Sequence, residues 1–129
     1  MRLGTASLAV SSVLVLGLVP ALAHHSFEAE FDGDKTAKVS GVVTKVDWTN
    51  PHAWIYMNIK DENGAPKTFA VELGPPYALV RGGWKRDTVK IGDTVTVDGC
   101  AMAKDGSSRA GSLPSTRMVL ATGEKLPMR

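Results

Sequence analysis

Hydrophobic and polar residues alternate most clearly between Gly41 and Gly64, a segment with the sequence GVVTKVDWTNPHAWIYMNIKDENG. Apolar side chains recur at every second position before the Asn50-Pro51 step, and the same period resumes after it. A period of two is typical of β-strands. Asn-Pro favours a turn, because proline disfavours the helical conformation in the residue before it. The segment therefore predicts two long strands joined by a turn.

The rest of the chain predicts further strands and one short helix. The five predicted strands are residues 38–48, 52–60, 67–73, 89–99 and 115–121. Gly41 is expected to mark a bend or bulge in the first of them. Residues 77–81 have the length of a short helix, with prolines before them and Gly82-Gly83 after them. Residues 101–114 are polar and glycine-rich, which predicts a loop.

Three strands, a short helix and two strands follow each other in the order of an OB-fold, a small five-stranded Greek-key barrel. We therefore predict an all-β, OB-like barrel as a single domain. A small β-sandwich is the alternative, and the helix between strands three and four argues against it. OB-folds bind ligands on the face of strands two and three, beside loops that here are residues 49–52 and 101–114. The predicted core is Val42, Val46, Ile55, Met57, Val71, Leu79, Val95 and Val97.

Residues 1–23 have the pattern of a secretory signal peptide. A positive start at Arg2 precedes an apolar run over residues 8–19, and Pro20 and a small-residue site at Ala23 follow. The run is shorter than the roughly 20 residues of a membrane-spanning helix. We expect cleavage after Ala23 and a periplasmic domain of residues 24–129 without a membrane span. Its N-terminal segment is residues 24–37, of which residues 24–34 fit an edge segment or a helical turn equally well.

Composition narrows the classes of partner. Of fifteen basic residues, fourteen remain after loss of Arg2, against thirteen acidic ones, so nothing favours nucleic acid as a partner. Cys100 is the single cysteine, which excludes an internal disulfide. A small buried residue is the favoured interpretation of Cys100 over a reactive thiol.

Three motifs resemble a family of small, exported bacterial proteins of unknown function. They are Trp-Thr-Asn-Pro-His-Ala-Trp at residues 48–54, His-His-Ser-Phe at residues 24–27 and Gly-Asp-Thr-Val at residues 92–95. The resemblance covers the whole mature chain and implies an exported, OB-like protein. It implies no activity, and the chain departs from the family pattern at Cys100.

Sequence motifs of enzymes are missing. The chain contains no nucleophile elbow, phosphate-binding glycine loop, His-Glu-x-x-His or Cys-x-x-Cys. Acidic pairs such as Glu28 and Glu30 lie in a polar segment, where exposure to solvent explains them better than acid-base catalysis. The sequence therefore predicts a binding protein and no catalytic residues.

The histidines suggest a metal site. Cleavage after Ala23 would give His24 a free α-amine, with a pKa of about 7.7, next to its imidazole. His25 or His52 could add a nitrogen, and an all-nitrogen site favours Cu(II) over Zn²⁺ and Ni²⁺. In the competing interpretation, the first two histidines are a polar terminus and His52 packs on a tryptophan of the turn.

Aromatic residues suggest a second kind of site. Trp48, Asn50 and Trp54 flank the Asn-Pro turn and could bind a sugar, a peptide or another small molecule by stacking. A small barrel also needs large side chains in its core, so most aromatic residues are expected inside. The sequence alone does not decide between a metal site and an aromatic binding site.

Overall fold

The computed structural model of the chain describes residues 26–129, which form one β-barrel. Residues 26–30 are helical and lead directly into the first strand, so the helical alternative for this part of the N-terminal segment holds. The remaining elements are β1 (Phe31–Asp47), β2 (Trp54–Lys60), β3 (Pro66–Glu72), a short helix (Pro76–Arg81), β4 (Thr94–Ala103), β5 (Arg109–Gly111), β6 (Arg117–Val119) and β7 (Lys125–Pro127).

The first five strands close into a barrel. They are hydrogen-bonded in the order β1-β2-β3-β5-β4, and β4 pairs again with β1. All of these pairs are antiparallel except β3 with β5, which is parallel. The helix lies between β3 and β4 along the chain. This confirms the predicted five-stranded OB-like barrel with one short helix and excludes the open β-sandwich.

Closure of the barrel depends on β1, which pairs with two strands. Its first half pairs with β4 and its second half with β2, and Val42 faces Thr94 on one side and Asn58 on the other. A Cβ atom on Gly41 would lie 2.9 Å from Ile59 Cγ2, so β2 passes too close for a larger residue. The register with β2 shifts between Val43 and Lys45, two residues after the predicted position.

That irregularity explains an error in the predicted core. Val42 is 44% exposed, whereas Val43 is 1% exposed and lies in the barrel. Strict alternation back from Val46, which packs partly against the core, would place Val42 inside. The bulge inserts one residue and reverses the faces on either side of it. The other predicted core residues are buried: Ile55, Met57, Val71, Leu79, Val95 and Val97.

Strand β4 begins later than predicted, at Thr94, and extends past the predicted end, because Gly99 is a bulge and not a strand end. Gly99 has a φ of 79°, and the register with β1 shifts beside it. The strand then continues to Ala103. Asp-Gly usually ends a strand in a turn, but here the ladder with β1 resumes on the other side of the glycine.

The fifth strand of the barrel was predicted at the wrong place. It is β5, a three-residue strand inside the expected loop 101–114, where β3 and β4 bind it from both sides. The predicted strand 115–121 is β6, which adds to the free edge of β4 and pairs with β7. Three residues are too few to show an alternating pattern, so only the neighbouring strands define β5.

Trp84 follows the helix and joins it to the end of the chain. Its ring is buried, and its Nε1 donates a hydrogen bond to Pro127 O at 2.6 Å. Leu79 on the helix and Leu126 on β7 are buried in the same core. Over residues 26–129, none of the helices has the length and apolar character needed to cross a membrane.

Candidate functional site

His52 forms an ion pair with Glu72 at one end of the barrel. His52 Nδ1 lies 2.7 Å from Glu72 Oε1, with side-chain exposures of 35% and 14%. The pairing of β2 with β3 positions both residues, because Trp54 lies opposite Glu72. Ala53, which separates His52 from Trp54, donates a hydrogen bond to Gly74 O and accepts one from the Leu73 amide. The histidine of the Asn-Pro turn is therefore oriented by a carboxylate through Nδ1, which leaves Nε2 as the nitrogen that can bind a ligand.

Several charged groups surround the Glu72 carboxylate. Burial raises its pKa above the ordinary value, and the charge of Glu30 acts in the same direction. The positive charges of His52, Arg129 and Arg109 lower this pKa and offset part of the rise. Charged groups from the Asn-Pro turn, the N-terminal segment, β5 and the end of the chain therefore influence this one carboxylate on β3.

A small apolar cluster, separate from the barrel core, lies beside this pair. We call it the outer cluster. It contains Phe31, Ala101 and Ala103, with Phe27, Trp54 and Leu113 packed against them. Trp54 alternates with core residues of β2, so it lies on the outside of the barrel, where its ring stacks with that of Tyr56 at 6.4 Å. The turn before β2 and the loop after β5 thus meet on the face that OB-folds use for ligands.

Phe27 anchors the N-terminal segment to this face. Its ring lies over Gly111, where an added Cβ atom would be 2.5 Å from Phe27 Cε2 and 2.7 Å from Phe31 Cδ2. The Arg129 guanidinium lies 4.9 Å from the centre of the Phe27 ring. The same guanidinium contributes to the electrostatic environment of Glu72. Arg129 therefore lies between the N-terminal segment and the His52–Glu72 pair.

Polar contacts hold the same segment in place. The Lys104 amide donates to Glu30 O at 2.8 Å, and Lys104 Nζ donates to Glu28 O. Arg109 Nη1 lies 3.6 Å from Glu30 Oε2. The backbone of the segment is thus bound by Lys104 in the loop after β4, and the Glu30 carboxylate faces Arg109 of β5.

Of the three predicted metal ligands, only His52 can be placed. His24 and His25 lie outside the described residues. Within residues 26–129, His, Cys, Asp and Glu side chains do not form a group of three or more that could hold a metal ion.

The residues predicted to bind a ligand by stacking are separated. Trp48 packs against the barrel core, 6.4 Å from the ring of Trp84, whereas Trp54 belongs to the outer cluster. Asn50 is exposed in the turn, and its peptide bond to Pro51 is cis. Trp54 with Tyr56 therefore forms the aromatic surface on this face, and Trp48 does not contribute to it.

Sequence reasoning missed Glu72, Glu30, Arg109 and Arg129. Each is a charged residue in a strand or near an end of the described chain. A charged residue at such a position is usually interpreted as an ordinary surface residue. They come together only because β3 pairs with β5 and the N-terminal segment packs against β5. The acidic character of residues 28–34 was visible in the sequence, but the basic residues that face it are about 75 to 100 positions away.

Cys100 does not contribute to the site. The residue is fully buried, and its Sγ donates a hydrogen bond to Ala37 O at 3.4 Å. Burial raises the pKa of the thiol to about 11, so it is protonated near neutral pH. The expectation of a buried, small residue is confirmed.

Comparison with known proteins identifies a family but no individual relative. No curated protein and no solved structure matches the sequence significantly. A family model does match, over residues 12–112, which is most of the chain and includes the barrel through β5. The chain therefore belongs to a family of unknown function (DUF6152).

Proposed function

We propose that this is an exported periplasmic protein that binds one Cu(II) ion through the amine and imidazole of His24, with His52 or His25 adding a further nitrogen. The observation that carries the proposal is the 2.7 Å contact between His52 Nδ1 and Glu72 Oε1. Histidines that bind metals usually donate their other ring N–H to a carboxylate, which fixes the tautomer and makes the free nitrogen a better ligand.

The docked N-terminal segment supports this proposal. Phe27 is two residues from His25 and three from His24, so their Cα atoms lie within about 7 and 10 Å of its own. Phe27 contacts Arg129, whose charge acts on Glu72, the partner of His52. The short tether to Phe27 is therefore compatible with the predicted N-terminal nitrogens binding on the face that carries His52.

Copper is the preferred ion because of the ligand types. An amine and two imidazoles provide only nitrogen, and divalent ions bind such sites most strongly as Cu(II), with Zn²⁺ and Ni²⁺ behind. With His52 as a ligand, the metal would bind beside the Glu72 and Glu30 carboxylates, whose charges Arg109 and Arg129 offset in part.

Titration of processed protein with Cu(II) and Zn²⁺ tests the proposal. Intact mass of the periplasmic form first establishes that the chain begins at His24. We expect one Cu(II) site that is weakened by one extra residue before His24, and by His52→Ala if His52 is the further ligand, by at least the roughly ten- to hundredfold that loss of an outer-shell partner costs. His25→Ala is the matched variant that assigns the third nitrogen.

Equal Cu(II) affinity in wild type, the extended protein and His52→Ala would contradict the site. So would an affinity no tighter than that of a free His-His peptide, because the N-terminus would then chelate the ion without help from the fold.

A metal-free binding module is the second candidate, and the stacked pair Trp54 and Tyr56 favours it. Both rings are half-buried on the outside of β2. They offer a surface for a sugar, a peptide or a small ring. Binding of this kind should be lost in Trp54→Ala and unaffected by an extra residue before His24.

A further inference from the structure

A glycine lies under the Phe27 ring where the strand pattern would allow a side chain. Gly111 pairs with Ala101 of β4 and Glu72 of β3, and its φ is not positive, so its backbone conformation does not require glycine. What it requires is space, since a methyl group there would overlap both Phe27 and Phe31. Gly111 thus forms a notch that receives an aromatic ring.

The floor and walls of this notch complement the segment that fills it. Ala101 and Ala103 are small, buried residues that let Phe31 lie close to β4, and Phe27 packs on Phe31 at 5.0 Å between ring centres. Arg129 covers the ring of Phe27. Lys104 binds the backbone carbonyl groups of Glu28 and Glu30, and Arg109 Nη1 lies 3.6 Å from the Glu30 carboxylate. The apolar contacts of the notch and its polar contacts therefore both bind the short segment that contains Phe27.

We infer that this notch is a binding site for a phenylalanine-bearing acidic segment, filled here by residues 26–30 of the same chain, and that its role is to set the N-terminal nitrogens against His52. The second part rests on the proposed copper function. The segment occupies the face on which OB-folds bind their ligands, so the protein uses its own N-terminus as an intramolecular ligand.

Docking would contribute to metal affinity through proximity. A tethered ligand group that is already held near its partner binds with a higher effective concentration than one on a mobile terminus. Loss of the Phe27 anchor is expected to weaken Cu(II) binding roughly tenfold to a hundredfold, as for other residues that position metal ligands. Phe27 is a positioning residue, because its side chain cannot bind the metal.

Hydrogen exchange and copper titration of the full processed protein test the inference with Phe27→Ala. The probe of docking is the Lys104 amide, which donates to Glu30 O. We expect faster exchange of this amide in Phe27→Ala together with weaker Cu(II) binding. The matched control is Tyr77→Ala, which removes an aromatic ring that is exposed on the helix and should change neither measurement.

A peptide with the sequence of residues 24–31 provides a second measurement. Added to Phe27→Ala, it should slow exchange of the Lys104 amide, whereas the same peptide with alanine in place of phenylalanine 27 should not. Gly111→Ala, whose methyl group fills the notch, should bind neither peptide if this variant folds. If Gly111→Ala does not fold, the peptide measurements on Phe27→Ala test the notch by themselves.

The outcomes separate the two proposals. Unchanged Lys104 exchange in Phe27→Ala overturns the docking site. Faster exchange with unchanged Cu(II) affinity overturns its positioning role. If wild type binds no Cu(II), the proposed function and the positioning role both fail, and the exchange data alone decide whether the notch binds the segment.

Discussion

Glu72 places a carboxylate where burial opposes its charge. Its side chain is 14% exposed, and its backbone oxygen accepts hydrogen bonds from the amide and the hydroxyl of Ser112. Burial and Glu30 raise its pKa above 4.5, and three positive groups offset this only in part. Such a residue contributes to a site at some expense of stability, which is typical of functional residues.

Glu72→Gln should therefore show a stability difference that depends on pH. The folded carboxyl binds its proton more tightly than the unfolded one, so wild type loses stability as pH rises from 4.5 through the raised pKa. Glutamine stays neutral and can still accept the His52 N–H. We expect the free energy of unfolding of the variant, relative to wild type, to increase over this range in urea titrations.

The matched control for this experiment is Glu62→Gln, which removes a charge from an exposed position in the β2–β3 turn. The burial argument would be contradicted if the unfolding free energy of Glu72→Gln relative to wild type stayed constant, or decreased, as pH rises.

At the scale of the elements, two bulges decide which faces the barrel presents. Alternation through β4 from Val95 and Val97 would direct Ala101 and Ala103 into the core. Gly99 inserts one residue, so Cys100 lies in the core and the two alanines face outward. The floor of the outer cluster, and with it the place where Phe31 packs, therefore depends on this bulge.

Gly99→Ala is expected to destabilise the protein. Its φ of 79° costs a residue with a side chain about 1–2 kcal/mol, although space around the position is open. Chemical denaturation measures the loss. Gly33→Ala is the control, because Gly33 lies in the partner strand β1 without a positive φ and its Cβ would meet only Leu113 at 3.9 Å. Equal stability of the two variants would contradict the conformational argument.

At the scale of the whole molecule, the end of the described chain completes the core. Met118 of β6, Leu126 of β7 and Met128 are buried with the barrel residues. The Gly74 amide donates to Met128 O at 2.8 Å, and Trp84 bonds to Pro127 O. The segment after β3 and the C-terminal strands thus close one end of the barrel together.

Trp84→Phe should loosen this closure. The substitution keeps an aromatic ring but removes the donor to Pro127 O, and loss of a part-buried hydrogen bond of this kind costs about 0.5–1.5 kcal/mol. Urea denaturation should show a loss in this range. Val80→Ala, on the exposed side of the helix, should change stability by less than about 0.5 kcal/mol. A loss no larger in Trp84→Phe than in Val80→Ala would show that the hydrogen bond is unimportant.

The sequence by itself determined the all-β class, the succession of three strands and a short helix, and most of the core. These follow from local alternation and from turn residues such as Asn50-Pro51, which act over a few positions. It also drew attention to His52 and Trp54, because unusual side chains beside a predicted turn are visible without a structure.

Only the tertiary structure decided the bulges, the short strand β5 and the partners of His52. Val42 and Val43 exchange faces because of a register shift against β2, which no window along one strand reveals. Glu72 reaches His52 through pairing of β2 with β3, and the N-terminal segment packs on Gly111 of β5, which pairs with Glu72. Contacts between residues that are distant in sequence carry no local periodicity, so they can be known only once the barrel has closed.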